Sequence, residues 1–254
     1  MVESTASIPL SQRLRKFFLK SLELLLRQVE RLFVINSLVG DSPVFKPEQF
    51  EWAEQLEANW EVIREELEVV LSQADELPNF QDLSPDQSNL TNDNLWKTYF
   101  LYGFGFKASQ NCERCPETTK LIEQIPGMTT AFFSILMPHK HIPEHRGVYR
   151  GVLRYHLALK IPKPENSCRI RIDKEIYQWT EGKSLIFDDR YYHEAWNDSE
   201  DIRVVLFMDI LRPIRFPFNL LNKFTLKMIA LTPYIQDGKA NQDKWDEKLA
   251  KLFG

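Results

Sequence analysis

Apolar side chains recur at three- and four-residue intervals between residues 11 and 36, at Leu14, Phe17, Phe18, Leu22, Leu25, Leu26, Val29, Leu32 and Phe33. That spacing predicts an amphipathic helix. Arg13, Arg15, Lys16, Lys20, Arg27 and Arg31 occupy much of its other face. A membrane span needs ~20 largely uncharged residues, and charge interrupts this run too often. A basic amphipathic helix lies on a bilayer surface or packs on its own domain, and packing is the favoured reading. A second helical stretch runs from Pro47 to Gln73, with Trp52, Leu56, Trp60, Val62, Ile63, Leu67 and Val70 at similar intervals. Residues 78–94 are rich in Asp, Ser, Asn and Pro and read as a surface loop.

From Trp96 the period changes. Short β-prone runs follow one another: Tyr99–Phe106, Thr129–Met137, Val152–Ile161, Cys168–Ile172, Ser184–Phe187 and Arg203–Ile210. So many short strands predict an antiparallel sandwich or barrel. One helix interrupts them between Pro116 and Pro126, opened by a proline and closed by Pro-Gly. Beyond Pro217 the chain returns to helix, with Leu220, Leu221, Phe224, Met228 and Ile229 periodic and Lys223 and Lys227 beside them. The organisation is therefore α+β, divided into an amphipathic helix over 1–40, a barrel with supporting helices over 41–213 and a helical tail over 214–254. No internal repeat is evident.

The 254 residues, 43% hydrophobic and 27% charged, suit a globular chain. A net charge of -4 gives no overall positive field for phosphates, so no nucleic-acid partner is expected. Cys112, Cys115 and Cys168 lack the further ligands that a structural zinc site needs. They read as reduced thiols. No cleavable leader is visible, and a location in the cytoplasm, free or peripheral to the membrane, is expected.

All five histidines fall between residues 139 and 193. Such clustering within a predicted barrel points to metal or acid–base work. In the strand around Arg154, Leu153, Tyr155, Leu157, Leu159 and Ile161 share one face, so Arg154 and His156 share the other. If that face is the lumen, a cation there needs an anion, and a dicarboxylate is one such anion; a solvated face is the equal alternative. Arg203 opens a nearly continuous apolar strand, where it either enters a barrel mouth or sits at the surface.

Four runs taken together carry a resemblance: FSILMPHKHIPEHRG over Phe133–Gly147, LRYHLAL over Leu153–Leu159, WTEGKSLIFDD over Trp179–Asp189 and HEAWN over His193–Asn197, followed by Arg203. In order and spacing, over residues 96–213, they resemble the aspartyl/asparaginyl β-hydroxylases. The resemblance implies a double-stranded β-helix, a jelly-roll or cupin-like barrel binding Fe(II), 2-oxoglutarate and O2. It implies His145 and His193 as the metal ligands, because Gly147 stands where most enzymes of the wider fold carry a carboxylate. It implies that Arg154 and His156 meet the 1-carboxylate end of 2-oxoglutarate and that Ser134 and Arg203 hold the distal one. His139 and His141 would be second-shell or substrate-facing. Asp188 and Asp189 read as turn residues, and Trp179 and Trp196 as barrel packing.

The activity so implied is oxidative hydroxylation, with the β-carbon of Asp or Asn in a peptide or protein as the leading substrate. The alternatives are a lipid acyl chain at a membrane surface and a non-catalytic binding module on the same fold. The lipid A 2-hydroxylases resemble this family, and the basic amphipathic helices would suit a bilayer. Those relatives carry Asp two positions after the first histidine ligand, so Gly147 counts against the acyl-chain reading without eliminating it.

Overall fold

A computed structural model describes residues 28–103, 106–147 and 149–253. Residues 11–27 of the first predicted helix lie outside these; residues 28–35 are helical (α1). The next predicted helix is two. Helix α2 (Glu51–Ala58) buries Ala53 and Leu56, and α3 (Trp60–Leu71) buries Ile63, Leu67 and Val70. Both expose glutamates on the far side. Asn59 breaks the run: it leaves helical geometry at φ -113°, ψ 16°, and its side-chain amide donates to the Gln55 carbonyl. Burying one such Leu or Ile stabilises the fold by about 1.5–3 kcal/mol. The 78–94 segment contains one short helix, α4 (Phe80–Leu83). The Pro116 helix is preceded by another, giving α5 (Ser109–Arg114) and α6 (Pro116–Glu123). The tail forms α7 (Phe218–Ala230) and α8 (Pro233–Phe253).

Between these lie eleven strands: β1 (Val44–Phe45), β2 (Trp96–Gly103), β3 (Phe106–Lys107), β4 (Met128–Leu136), β5 (His141–His145), β6 (Val152–Lys160), β7 (Cys168–Ile172), β8 (Glu175–Gln178), β9 (Ser184–Phe187), β10 (His193–Asn197) and β11 (Arg203–Leu211). All pair antiparallel in two sheets, a larger one ordered β1-β9-β6-β11-β4-β2-β3 and a smaller one ordered β5-β10-β7-β8. The fold is α+β, a double-stranded β-helix with flanking helices.

The burial patterns explain the strand compositions. Strands β4, β6 and β11 are covered on both faces and read as almost unbroken apolar runs. Their outer face joins α2, α3, α5 and α6 in one core through Tyr99, Phe133, Tyr155, Leu157 and Leu206. Their inner face meets the smaller sheet in a second core built from Trp96, Leu136, Ile170, Trp179, Phe187 and Val205. The smaller sheet is wet on one side, so β7 alternates cleanly: Cys168, Ile170 and Ile172 inward, Arg169 and Arg171 outward. A third small core joins α1 and α7 through Phe33, Tyr149, Val152 and Ile214.

Candidate metal and anion site in the barrel

Strand β5 ends on His145 and β10 starts on His193, and the two residues are direct register partners. Their ring centroids lie 4.2 Å apart. Each Nδ1–H donates to the carbonyl two residues upstream, His145 to Pro143 at 2.8 Å and His193 to Tyr191 at 2.9 Å. That bond fixes the tautomer and leaves the Nε2 lone pair of each ring as a donor. Burial drives the His145 pKa down to about 4. Burial, then the His145 and Arg154 neighbours, pushes His193 well below the ordinary histidine range. Both rings are neutral at pH 7, the form that binds a transition metal. Among the described residues no group of three or more His, Cys, Asp or Glu side chains converges for a metal. The candidate donors that come together here are two imidazoles.

Gly147, two residues past His145, explains the missing third arm. A methyl group there would sit 2.0 Å from Oδ2 of Asp189, whose carboxyl already fills the space. The Gly147 N–H donates to the Asp189 carbonyl at 2.7 Å, locking the two loops together. Asp189 is buried, which raises its pKa to about 7 against the pull of Arg154. Arg154 bonds it at 2.9 Å and reaches Asp209 at 3.1 Å. The guanidinium that the resemblance assigns to a ligand carboxylate is therefore already engaged by two carboxylates of the protein. Asp189 lies in the turn that the sequence predicts, and its carboxyl packs into the site as well; its signal was its place four residues before His193. Asp188 likewise exceeds a turn role: it is fully buried and pairs with Arg150 and Arg212.

Arg203 behaves differently. Only 2% exposed, it lies over the Trp179 ring at 4.5 Å, with a long contact of 3.5 Å to the Ser134 carbonyl. Its Nε has no partner, and among the described residues no carboxylate pairs with it. Burial pulls its pKa down to about 10. An unpaired buried cation costs several kcal/mol, so this pocket favours an anion. His156, also on the lumen side, is buried with both ring nitrogens unpartnered, and burial followed by Arg203 keeps it neutral. Ser134 completes the set on β4, its hydroxyl receiving the Trp96 indole N–H at 3.1 Å. Phe187 spans the distance to the metal pair, 5.2 Å from His156 and 5.4 Å from His193. The fold thus brings Ser134, His156 and Arg203 together beside His145 and His193.

A cavity of about 420 Å3 reaches His145, Gly147, Arg154 and Asp189. Its walls are mainly aromatic and aliphatic, and include Phe80, Trp96, Phe100, Phe132 and Phe207. The rings stack in sequence, Phe100 on Phe132 at 4.4 Å and Phe132 against Phe207 at 4.3 Å, and Phe207 lies under Arg154. Leu226 and Ile229 of α7 close another side. Sequence reasoning missed these wall residues, because a lumen aromatic and a core aromatic share one strand pattern.

Three expectations are corrected. His139 is not in the site: it occupies a left-handed turn at φ 60° and pairs with exposed Glu200. His141 faces outward from β5, stacked on Trp196 and bonded to Glu194 at 3.1 Å. Trp196 accordingly lies on the outer face of the small sheet rather than in the barrel, whereas Trp179 is buried inside. Strand alternation decides the side for Trp196, and a bulge in β5 between Ile142 and His145 turns His141 and His145 to opposite faces.

The family model described as Aspartyl/Asparaginyl beta-hydroxylase matches residues 57–213. The chain belongs to that family. An ornithine lipid ester-linked acyl 2-hydroxylase of Rhizobium tropici is 45% identical over 219 residues, covering 86% of this chain and 78% of that protein. The aspartyl/asparaginyl beta-hydroxylase of Homo sapiens is 33% identical over 190 residues, 72% of this chain but 24% of the human protein. Among solved structures, a cupin domain of an XRE-family transcriptional regulator from Enterobacter cloacae aligns with a TM-score of 0.32 at 15% identity, over 46% of this chain and 96% of that one. As a member of the β-hydroxylase family the protein is an enzyme of the hydroxylase class.

Proposed function

We propose that this β-hydroxylase family member is an Fe(II)- and 2-oxoglutarate-dependent dioxygenase that hydroxylates a lipid acyl chain. The observation that carries the substrate reading is the aromatic and aliphatic wall of the cavity that ends on His145. Such a wall desolvates a methylene chain at about 0.8 kcal/mol per CH2. The relative from Rhizobium tropici, named for an acyl substrate, supports the same choice. Gly147 weighs against likeness to the lipid A 2-hydroxylases alone, not against acyl chains, because the cavity wall and not the metal's third arm selects the substrate.

His145 and His193 would hold the iron through Nε2, their Nδ1 atoms being committed to backbone carbonyls. Arg203, His156 and Ser134 would hold the dicarboxylate, and the fit rests on the unpaired guanidinium and the two unpartnered imidazole nitrogens. When bound, iron, keto acid and O2 supply the oxidation that turns a C–H bond into C–OH as the keto acid becomes succinate and CO2. The protein's residues do the rest by placement. Neutral histidines present their lone pairs without losing a proton. Phe132 and Phe207 keep water from the reacting carbon. Arg154 acts through Asp189, holding that carboxyl against Gly147.

One observation favours the second reading, an Asp or Asn side chain: Arg146, exposed at the cavity and lying over the Tyr192 ring, offers a guanidinium to a substrate carboxylate. The deciding experiment supplies Fe(II), 2-oxoglutarate and O2 with either a detergent-dispersed acyl lipid or an Asp/Asn peptide. Mass spectrometry should show one added oxygen on the acyl chain, with matching succinate. Oxygen added to the peptide and not to the lipid would reverse the order of the two readings. Succinate from neither would point to a binding module.

A further inference from the structure

Nine of the thirteen large hydrophobic side chains that are exposed among the described residues fall in two short stretches, 32–38 and 216–231. The stretches lie side by side. Ser37 bridges Ile214, the Leu38 N–H donates to the Pro213 carbonyl at 2.9 Å, and the Arg215 N–H donates to Asn36 at 3.0 Å. Helix α7 is apolar on two sides. Leu226 and Ile229 pack inward and line the cavity that reaches His145. Leu220, Leu221, Phe224 and Met228 recur on the opposite side and face solvent, with Phe216 just before the helix 76% exposed and Leu231 just after it 70% exposed. A helix of a globular domain ordinarily keeps its solvent side polar.

Charge says what covers this face. Residues 214–231 contain Arg215, Lys223 and Lys227 and no acidic residue, in a chain whose net charge is -4. All three cations are exposed, Lys223 and Lys227 flanking the apolar residues on α7 and Arg215 just before it. A two-fold contact with a second copy would set this all-basic patch against itself. Residues 1–27 carry Arg13, Arg15, Lys16, Lys20 and Arg27 against only Glu3 and Glu23, so they share its sign. A surface that is both apolar and anionic complements it, and an anionic bilayer is such a surface.

We propose that the outer face of α7, with residues 32–38 alongside, docks on an anionic lipid bilayer. This rests on the acyl-chain reading only for its purpose: one side of α7 would lie in the lipid while the other walls the cavity, so a lipid tail would pass to His145 without crossing water. Among the described residues no helix is long and apolar enough to cross a membrane, so the contact is interfacial.

The test is flotation of the full chain with vesicles of phosphatidylglycerol and phosphatidylethanolamine, compared with phosphatidylcholine alone. The protein should partition at least tenfold better onto the anionic vesicles, and less at high salt. Leu220→Ser/Phe224→Ser and, separately, Lys223→Glu/Lys227→Glu should each reduce partition at least tenfold while the thermal midpoint and detergent-phase acyl hydroxylation hold. Met228→Cys should react quickly with a water-soluble maleimide in buffer and slowly on anionic vesicles. Absence of flotation, or variants that float like the parent, would overturn the proposal. So would slow labelling in buffer, or a dimer in light scattering that Phe224→Ser dissolves, since either puts protein on this face. Flotation without any acyl hydroxylation supports the docking surface and removes the substrate reading, so the two fail separately.

Discussion

Strands β5 and β10 carry the same kinds of side chain on both faces, with opposite consequences. Inward, His145 is half-buried at the cavity and its partner His193 is buried; both are neutral and bonded through Nδ1. Outward, His141 stacks on Trp196, and Glu194 and Glu144 share Arg171. The outer groups satisfy one another and water. The inner pair leaves its Nε2 lone pairs without a hydrogen-bond partner, and Arg203 on neighbouring β11 has no carboxylate among the described residues. The difference lies in what each group lacks rather than in what it is, since polar groups buried without partners are costly and persist where a ligand repays them.

The comparison breaks most sharply at the metal pair. His193→Ala should abolish Fe(II) binding and reduce turnover by more than the about 10–100-fold typical of groups that only support a ligand. Anaerobic metal titration followed by succinate release checks this, and a variant that still binds iron tightly removes His193 from the centre. Arg203→Ala comes next. Losing one charge-assisted contact of about 1.5–3 kcal/mol should raise the 2-oxoglutarate requirement by roughly 10- to 150-fold with a smaller effect on kcat. An unchanged requirement would place the dicarboxylate elsewhere.

Gly147→Ala probes the inner face without touching a ligand. The new methyl group meets the Asp189 carboxyl at 2.0 Å, so overpacking should cost about 1–3 kcal/mol in thermal or denaturant unfolding. Adding Asp189→Ala should recover part of that loss, and additive losses would deny the contact. The smallest effect belongs to the outer face. His141→Ala should change stability by less than about 0.5 kcal/mol and leave metal affinity as it was. A fall in metal affinity would mean that the outer groups reach the site after all.

Much of the barrel was legible in the chain. Strands covered on both sides must be apolar throughout, and β4, β6, β9 and β11 announced themselves that way, while β7 showed itself by alternation. Strands β5 and β10 were not counted as strands, because their inward positions carry His145, His193 and Asn197 where a core would carry valine or isoleucine. The periodicity around Arg154 placed it and His156 on one face, which holds, but the anions that meet Arg154 come from Asp189 on a loop and Asp209 on β11. No local pattern encodes such partners, since they are 35 and 55 residues away along the sequence. The substrate order read from the sequence, Asp or Asn ahead of an acyl chain, had no access to the cavity for the same reason. A cavity wall assembled from β2, β4, β11 and α7 is a property of packing and not of any one run.

Each imidazole of the candidate metal pair is steadied by a peptide oxygen two positions earlier along the chain. Aim is thus built into main chain, where a change of neighbouring side chain has little purchase, and substitutions at Tyr191 should leave the ring's bearing intact. What remains vulnerable is alignment between the two strands. Sliding β5 by a single position against β10 would turn one ring out to solvent and strand its mate, so coordination here doubles as a gauge of correct strand pairing.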